Sequence, residues 1–118
     1  MHELSVCLSL LDQVQALSGE RGAVRAARIE LDVGPLSGIE IDLLESAWPL
    51  AAAGTIAADA ELVITAMDIV IRCDACGAET AAEANRLVCG RCGDFHTTLV
   101  SGGEMILRRI ELEMPDDR

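Results

Sequence analysis

The fold of this chain is decided by two short stretches, Cys73-Asp74-Ala75-Cys76-Gly77 and Cys89-Gly90-Arg91-Cys92-Gly93. Each places a glycine directly after a Cys-x-x-Cys pair, which is typical of a turn whose backbone N–H groups face two sulfur atoms. Two such turns supply four thiolates, and tetrahedral coordination by four thiolates is typical of a structural Zn(II) site. The sequence therefore predicts a structural zinc site in a zinc ribbon, with the ligands Cys73, Cys76, Cys89 and Cys92.

Two other uses of these cysteine pairs stay open. Disulfide bonds would need an oxidising compartment, but residues 1–11 show no basic segment followed by an apolar one, so no signal peptide is expected. A thioredoxin-like redox pair is expected once, at a strand-to-helix junction, whereas Gly77 and Gly93 close tight turns. Structural zinc is the favoured interpretation.

Composition and charge limit the partners. Trp48 and Phe95 are the only aromatic residues, and the formal net charge is −11, so the chain has no base-stacking surface and would repel polyphosphate. We therefore expect no nucleic-acid partner. No apolar run approaches the roughly 18 residues that span a bilayer, so we expect no membrane association and a cytoplasmic location.

Hydrophobic periodicity predicts a first helix over residues 4–17, ended by Gly19 and Gly22. Cys7 lies on its apolar stripe and is expected to be a buried thiol rather than a ligand. Residues 28–33 alternate apolar and polar side chains, which predicts a half-buried strand.

A second helix is predicted to carry Ile39 and Leu50 on its apolar face. Ser37 and Glu40 match the S-x-x-E capping box at its start, and Pro49 is expected to kink or shorten its last turn. Residues 61–71 and 105–112 are rich in β-branched and other apolar residues and predict two further strands.

The order of these elements predicts an α+β fold of two helices on a three-stranded mixed sheet, with the zinc ribbon inserted before the last strand. We expect residues 1–69 and 102–118 to form the α+β domain and residues 70–101 the zinc-binding module. The main apolar residues of the insertion are Val88, Phe95 and Leu99, too few to fold it alone. Bound metal must therefore stabilise it.

The amino terminus offers a second group of metal donors. The Met1 amine, the His2 amide nitrogen and the His2 imidazole Nδ1 could close adjoining chelate rings around one Ni(II) or Cu(II) ion. An oxygen of Glu3 or Glu40 could complete the set. The alternative is that His2 is a frayed terminal residue and Glu3 an acid favoured at a helix N-terminus. His96 could be an alternative metal ligand or an exposed loop histidine.

Five elements, in order, resemble the HypA/HybF family of nickel metallochaperones for hydrogenase maturation. These are Met1-His2-Glu3-Leu4-Ser5, Val33-Gly34-x-Leu36-Ser37-Gly38, Ala53-Gly54-Thr55, the two Cys-x-x-Cys pairs and Ser101-Gly-x-Glu104-Met105. Pro35 and Pro49 depart from the pattern of many relatives. The resemblance implies that the α+β domain binds nickel, that His2 is the essential nickel ligand helped by Met1, and that Glu3 and Glu40 lie at acidic family positions.

The resemblance also implies a function. The chain would take up transferable Ni(II) and, with a nickel-handling GTPase of hydrogenase maturation, pass it to the large-subunit precursor of a [NiFe]-hydrogenase. No nucleophile–base pair or phosphate-binding glycine loop is evident, so we expect no enzymatic activity. The alternative function is a zinc-ribbon module that binds proteins without transferring nickel. The sequence is compatible with a monomer or a homodimer.

Overall fold

The computed structural model describes residues 2–115, and Met1 and residues 116–118 lie outside the described range. The described residues form two helices and six strands, in the order α1 (His2–Arg21), β1 (Arg25–Val33), α2 (Ile41–Ala52), β2 (Glu61–Ala66), β3 (Ile69–Cys73), β4 (Glu79–Ala82), β5 (Thr97–Ser101) and β6 (Met105–Glu113). The strands form two three-stranded sheets, ordered β2-β1-β6 and β4-β3-β5. The predicted α+β class, with a ribbon inserted before the last strand, is confirmed.

Strand β1 is the central strand of the first sheet, and β2 runs parallel to it at one edge. The Ala26 N–H donates to the Ile56 carbonyl (3.0 Å), and farther along both segments the Met67 N–H donates to the Val33 carbonyl (2.8 Å). Parallel neighbours need a crossover connection, and α2 supplies it.

Strand β6 runs antiparallel to β1 on the other side. The Val24 N–H donates to the Glu113 carbonyl (2.9 Å), whereas the Gly34 N–H donates to the Glu104 carbonyl (2.8 Å). The first sheet is therefore mixed, as the sequence predicted.

Helix α1 ends later than its periodicity suggested. Gly19 lies inside the helix, and Gly22 has a φ of +67°, a left-handed conformation that glycine adopts without a Cβ penalty. The Gly22 N–H donates to the Gly19 carbonyl (3.2 Å), and the Ala23 N–H donates to the Ser18 carbonyl (3.0 Å). These two bonds form a Schellman motif that satisfies the last carbonyls of α1.

The predicted capping box of α2 is wrong. The helix begins at Ile41, and its N-cap is Glu40, whose side chain makes no capping hydrogen bond. Ser37 instead closes the preceding turn, where its hydroxyl donates to the Gly34 carbonyl (2.6 Å) and accepts from the Ile39 N–H (3.2 Å). The local pattern failed because residues 34–38 form a turn before the helix starts.

Pro49 does not end α2. The helix continues to Ala52, and the Ala53 N–H donates to the Pro49 carbonyl (3.2 Å). Proline lacks only its own N–H, so its carbonyl still accepts a bond from the following turn. Of the described helices, neither is long and apolar enough to cross a membrane.

The predicted strand over residues 61–71 is two strands. β2 ends at Ala66, and β3 begins at Ile69 in the other sheet, where it pairs antiparallel with β4 and β5. The break falls at Met67 and Asp68, whose backbone groups bond to the end of β1 and to the Ser101 hydroxyl (3.1 Å). Asp68 is the single charged residue between Leu62 and Ile71, and one charged residue is also compatible with a continuous half-buried strand, so the sequence pattern did not reveal the break.

The described chain divides into two compact units. The first contains residues up to 31, 40–64 and from 107 onward, and the second contains residues 32–39 and 65–106. The second unit thus extends beyond residues 70–101. The assignment of a separate metal to each part of the chain stays a prediction.

The first unit holds most of the buried apolar side chains. Its fully buried members include Leu10, Val14, Ile29 and Leu44. Cys7 is also fully buried, as predicted, and its thiol lies 3.7 Å from the Leu44 carbonyl oxygen. Burial raises the pKa of this thiol, which disfavours the thiolate that a metal would need.

The second unit has a thin apolar core. Ile69 and Ile71 of β3 are buried together with the thiols of Cys73 and Cys89, whereas Phe95 is 73% exposed. Leu99, another apolar residue predicted for the insertion, is 42% exposed, whereas the buried Ile71 was not among the residues predicted.

Two glycine-containing turns of the second unit pack backbone against backbone. The Leu36 N–H donates to the Gly102 carbonyl (2.8 Å), and a Cβ placed on Gly34 would overlap that same carbonyl. Gly102 has a φ of +107°, so both its conformation and this close approach favour glycine. Two of the sequence elements that carry the family resemblance are thus in direct contact.

Candidate metal centres

The four cysteines of the two Cys-x-x-Cys pairs form one cluster. All four sulfur atoms lie within 4.8 Å of one another, and the Cys73–Cys92 and Cys76–Cys89 sulfur pairs are each 3.6 Å apart. A zinc ion about 2.3 Å from four sulfurs in a tetrahedron requires sulfurs about 3.8 Å apart. The residues present therefore fit a closed zinc site.

The backbone of each pair folds into the same turn. The Gly77 N–H donates to the Cys73 carbonyl and the Gly93 N–H to the Cys89 carbonyl, both at 2.9 Å. Both glycines have positive φ angles, +76° and +79°, which a side chain would strain. The glycine after each Cys-x-x-Cys pair is thus explained by the turn.

Backbone N–H groups point at the sulfurs, as the sequence pattern predicted. Cys73 Sγ accepts from the Cys76 N–H (3.4 Å), and Cys89 Sγ accepts from the N–H groups of Arg91 (3.3 Å) and Cys92 (3.4 Å). The Cys92 N–H, followed by the Arg91 N–H, lowers the pKa of the Cys89 thiol to about 6. At Cys89 the turn thus favours the thiolate, which is the form that binds metal.

Two threonines outside the Cys-x-x-Cys pairs support these turns. The Thr80 hydroxyl accepts the Gly90 N–H (2.9 Å), and the Thr97 hydroxyl donates to the Leu87 carbonyl (3.0 Å). Threonine is common in strands, so no sequence signal marked either residue.

His96 does not belong to the four-cysteine cluster. Its Nδ1 lies 2.7 Å from Asp94 Oδ1, which also accepts the His96 N–H (2.8 Å). The backbone N–H and then the ring of His96 lower the pKa of the Asp94 carboxyl. The His96 ring is exposed and packs on the Phe95 ring, with centroids 4.2 Å apart.

The amino-terminal candidate residues are placed very differently from one another. His2 is exposed at the first residue of α1, whereas Glu3 is only 6% exposed. Glu3 Oε2 accepts the Glu40 N–H at 3.4 Å, so this carboxylate satisfies a donor at the start of α2. The Glu3 N–H, followed by the Glu40 N–H, lowers the pKa of the Glu3 carboxyl.

Within residues 2–115, the four cysteines are the one group of three or more His, Cys, Asp or Glu side chains close enough to hold an ion together. The side chains of His2, Glu3 and Glu40 do not form such a group, and Glu40 is exposed. The fourth predicted nickel donor, the Met1 amine, lies outside the described residues. A metal site at this end therefore needs donors other than these three side chains alone.

Known proteins of one family match this chain over nearly its whole length. A family model described as "Hydrogenase/urease nickel incorporation, metallochaperone, hypA" matches residues 1–112. Hydrogenase maturation factor HypA of Nitrosospira multiformis is 40% identical over 112 residues, covering 95% of this chain and 97% of that protein. The corresponding factor of Aquifex aeolicus is 36% identical over 114 residues, covering 97% and 99%.

A solved structure supports the fold independently. The solution structure of the Ni metallochaperone HypA from Helicobacter pylori matches with a TM-score of 0.72 at 23% identity, covering 96% of this chain and 98% of that one. With matches of this length and identity, the chain belongs to the HypA family of hydrogenase/urease nickel-incorporation metallochaperones.

Proposed function

We propose that this chain binds Ni(II) at its amino terminus and delivers it for assembly of the [NiFe]-hydrogenase active site. The observation that carries the proposal is the contrast between two neighbours: His2 is exposed, whereas Glu3 is buried and bonded to the start of α2. The imidazole is thus open to an ion and to an acceptor, while the helix that carries it is anchored.

His2 is the central nickel ligand in this proposal. Its imidazole Nδ1 and amide nitrogen, together with the Met1 amine, provide the nitrogen donors that Ni(II) favours. Metal binding must displace protons from these donors, so affinity rises with pH. An oxygen of Glu3 or Glu40 completes the set. A site with few donors and open access can exchange ligands one at a time with an acceptor.

The four cysteines hold structural Zn(II) in this proposal. The sulfur spacing and the N–H groups directed at Cys73 and Cys89 support a closed site of four thiolates. Such a site leaves no position for a substrate, so the zinc stabilises residues 70–101 and takes no part in chemistry. Nickel binding is assigned to the domain formed by residues 1–69 and 102–118.

A nickel carrier needs partner proteins that receive the nickel ion. The chain passes Ni(II), together with a nickel-handling GTPase, to the large-subunit precursor of a [NiFe]-hydrogenase. Nucleotide hydrolysis belongs to that GTPase, and this chain acts as a carrier and not as an enzyme. The family model's description supports nickel incorporation as the shared role.

The test is nickel titration calorimetry on the untagged, zinc-loaded chain and on two matched variants. The chain has two histidines, His2 and His96. We expect His2→Ala to abolish Ni(II) binding, His96→Ala to leave it unchanged, and both variants to keep one zinc per chain. Unchanged nickel affinity in His2→Ala would refute the proposal and favour a zinc-ribbon module that binds proteins without transferring nickel.

A further inference from the structure

A second feature of the first unit is an exposed apolar groove between its two helices. The groove has a volume of about 340 Å³ and is lined by Glu3, Leu4, Leu43, Ser46, Ala47 and Leu50. The four lining residues of α2 are spaced by three and four, so they form one face of that helix. Leu43 is 48% exposed and Leu50 is 78% exposed. Contiguous exposed apolar side chains of this kind can mark a surface that a partner covers.

The other face of α2 already meets the core, so the groove is not a poorly packed part of that core. Leu44, Trp48 and Ala52 are buried at helical spacing. One apolar face of α2 therefore packs against the core, and the other is left exposed. The groove is therefore an unpartnered surface of α2 and of the first turns of α1.

The charge around this groove is mostly negative, although the amino-terminal amine and His2 lie close to Glu3. No arginine or lysine occurs between Arg28 and Arg72, and the single arginine of α1, Arg21, lies in its last turn. The acidic residues at the start of α2, by contrast, are Glu40, Asp42 and Glu45, all of them exposed. The apolar face thus lies in acidic surroundings.

This charge pattern identifies the occupant. A second copy would bring the same acidic residues against themselves, and a membrane with anionic lipids would be repelled in the same way. Both described helices of this chain build the groove, so neither can fill it. What remains is a helix of another protein with apolar side chains along one face and arginine or lysine beside them.

We propose that the groove between α1 and α2 docks an amphipathic, basic helix of a partner protein. Because α2 has 12 residues, a partner helix of about three turns would match its length. Glu3 lines the groove and follows His2 directly, so a docked helix lies beside the amino-terminal nickel site. Only this last point, the supply of nickel to or from the docked partner, rests on the proposed function.

The test uses two synthetic peptides of about 14 residues that share one leucine stripe at three- and four-residue spacing. One peptide carries arginines beside the stripe and the other carries glutamates at the same positions. Backbone amide shifts of the zinc-loaded chain report the binding site. We expect the arginine peptide to shift residues of α2 and the start of α1, with an affinity that falls as salt rises, and the glutamate peptide to cause no shifts.

Matched variants show whether the groove itself is the binding site. Leu50→Glu places a charge in the apolar face, whereas Leu99→Glu makes the same change at an exposed position on β5, where Leu99 is 42% exposed. We expect Leu50→Glu to weaken the arginine peptide by about tenfold or more and Leu99→Glu to leave its affinity unchanged. Equal binding by the two variants, shifts confined to other elements, or absence of binding would each overturn the proposal.

Nickel calorimetry on the same proteins separates this proposal from the proposed function. Leu50→Glu is expected to bind nickel like the unmodified chain, and His2→Ala is expected to bind the arginine peptide like the unmodified chain. Loss of the peptide interaction alone would leave nickel binding standing, and loss of nickel binding alone would leave the docking surface standing.

Discussion

Zinc removal should unfold the strands around the four cysteines while the first unit stays folded. In those strands the buried apolar side chains are Ile69 and Ile71, and burying an isoleucine stabilises by about 1.5–3 kcal/mol. The two together give about 3–6 kcal/mol, whereas zinc binding to small thiolate domains supplies about 10–16 kcal/mol. The metal therefore contributes more than the packing, and β3, β4 and β5 should lose their structure without it.

The first unit has no such dependence. Its core contains many fully buried side chains, among them Leu10, Val14, Ile29, Leu31 and Leu44, and the predicted zinc ligands lie in the other unit. The only tryptophan, Trp48, is buried in α2 of the first unit. Its fluorescence therefore reports on the folding of this unit.

The assay combines two readouts before and after a strong zinc chelator. Amide hydrogen exchange is expected to show loss of protection in β3, β4 and β5, while protection in α1 and the Trp48 emission stay at their starting values. Cys89→Ser should reproduce the effect of chelation without the chelator. Retained protection in β3 after zinc loss, or a Trp48 emission shift to that of the unfolded chain, would refute the reasoning.

Three further predictions test local features of the fold. Gly34→Ala should lower the free energy of unfolding measured in urea by about 1–3 kcal/mol, because the added Cβ would overlap the Gly102 carbonyl. Gly19→Ala is the control: it lies inside α1 with no atom within 4 Å of the added Cβ, so it should stabilise the protein instead. Leu44→Ala should cost about 2–5 kcal/mol, because the removed side chain is fully buried; a smaller loss would show that the site collapses. The pKa of the Glu3 carboxyl is lowered in the folded state, so its charge stabilises the fold at pH values above the ordinary carboxyl range. This contribution disappears as the pH falls through the lowered pKa. The urea midpoints of the unmodified chain and of Glu3→Gln should therefore converge in acid, and a difference that does not shrink would contradict the prediction.

Local patterns were sufficient for the elements whose cause is local. The apolar period of α1, the alternation in β1 and the Cys-x-x-Cys-Gly turns depend on neighbouring residues, and all were identified correctly as elements. One error involved both a local turn and a distant segment. Ser37 was assigned to a capping box because its spacing to Glu40 is right, but Ser37 bonds to Gly34, and the Glu40 N–H bonds to Glu3.

The amino-terminal site shows the same division. The sequence places His2 and Glu3 side by side and does not show which of the two is buried, since both are polar residues at a helix start. The fold buries Glu3 against the start of α2 and leaves His2 exposed. The groove beside them could not be predicted from the sequence either. The apolar residues of α2 predict one amphipathic helix, and only the packed core shows that they lie on two faces.

Ligand spacing, residue period and charge are properties of the linear order, so the four-cysteine cluster, the α+β class and the acidic character of the chain could all be predicted from it. The tertiary structure alone decided that residues 61–73 serve two sheets, that Gly34 meets Gly102, and that Glu3 supports α2. Each of these depends on contacts between residues more than 30 positions apart, or on which sheet a strand joins. No pattern within one segment contains that information.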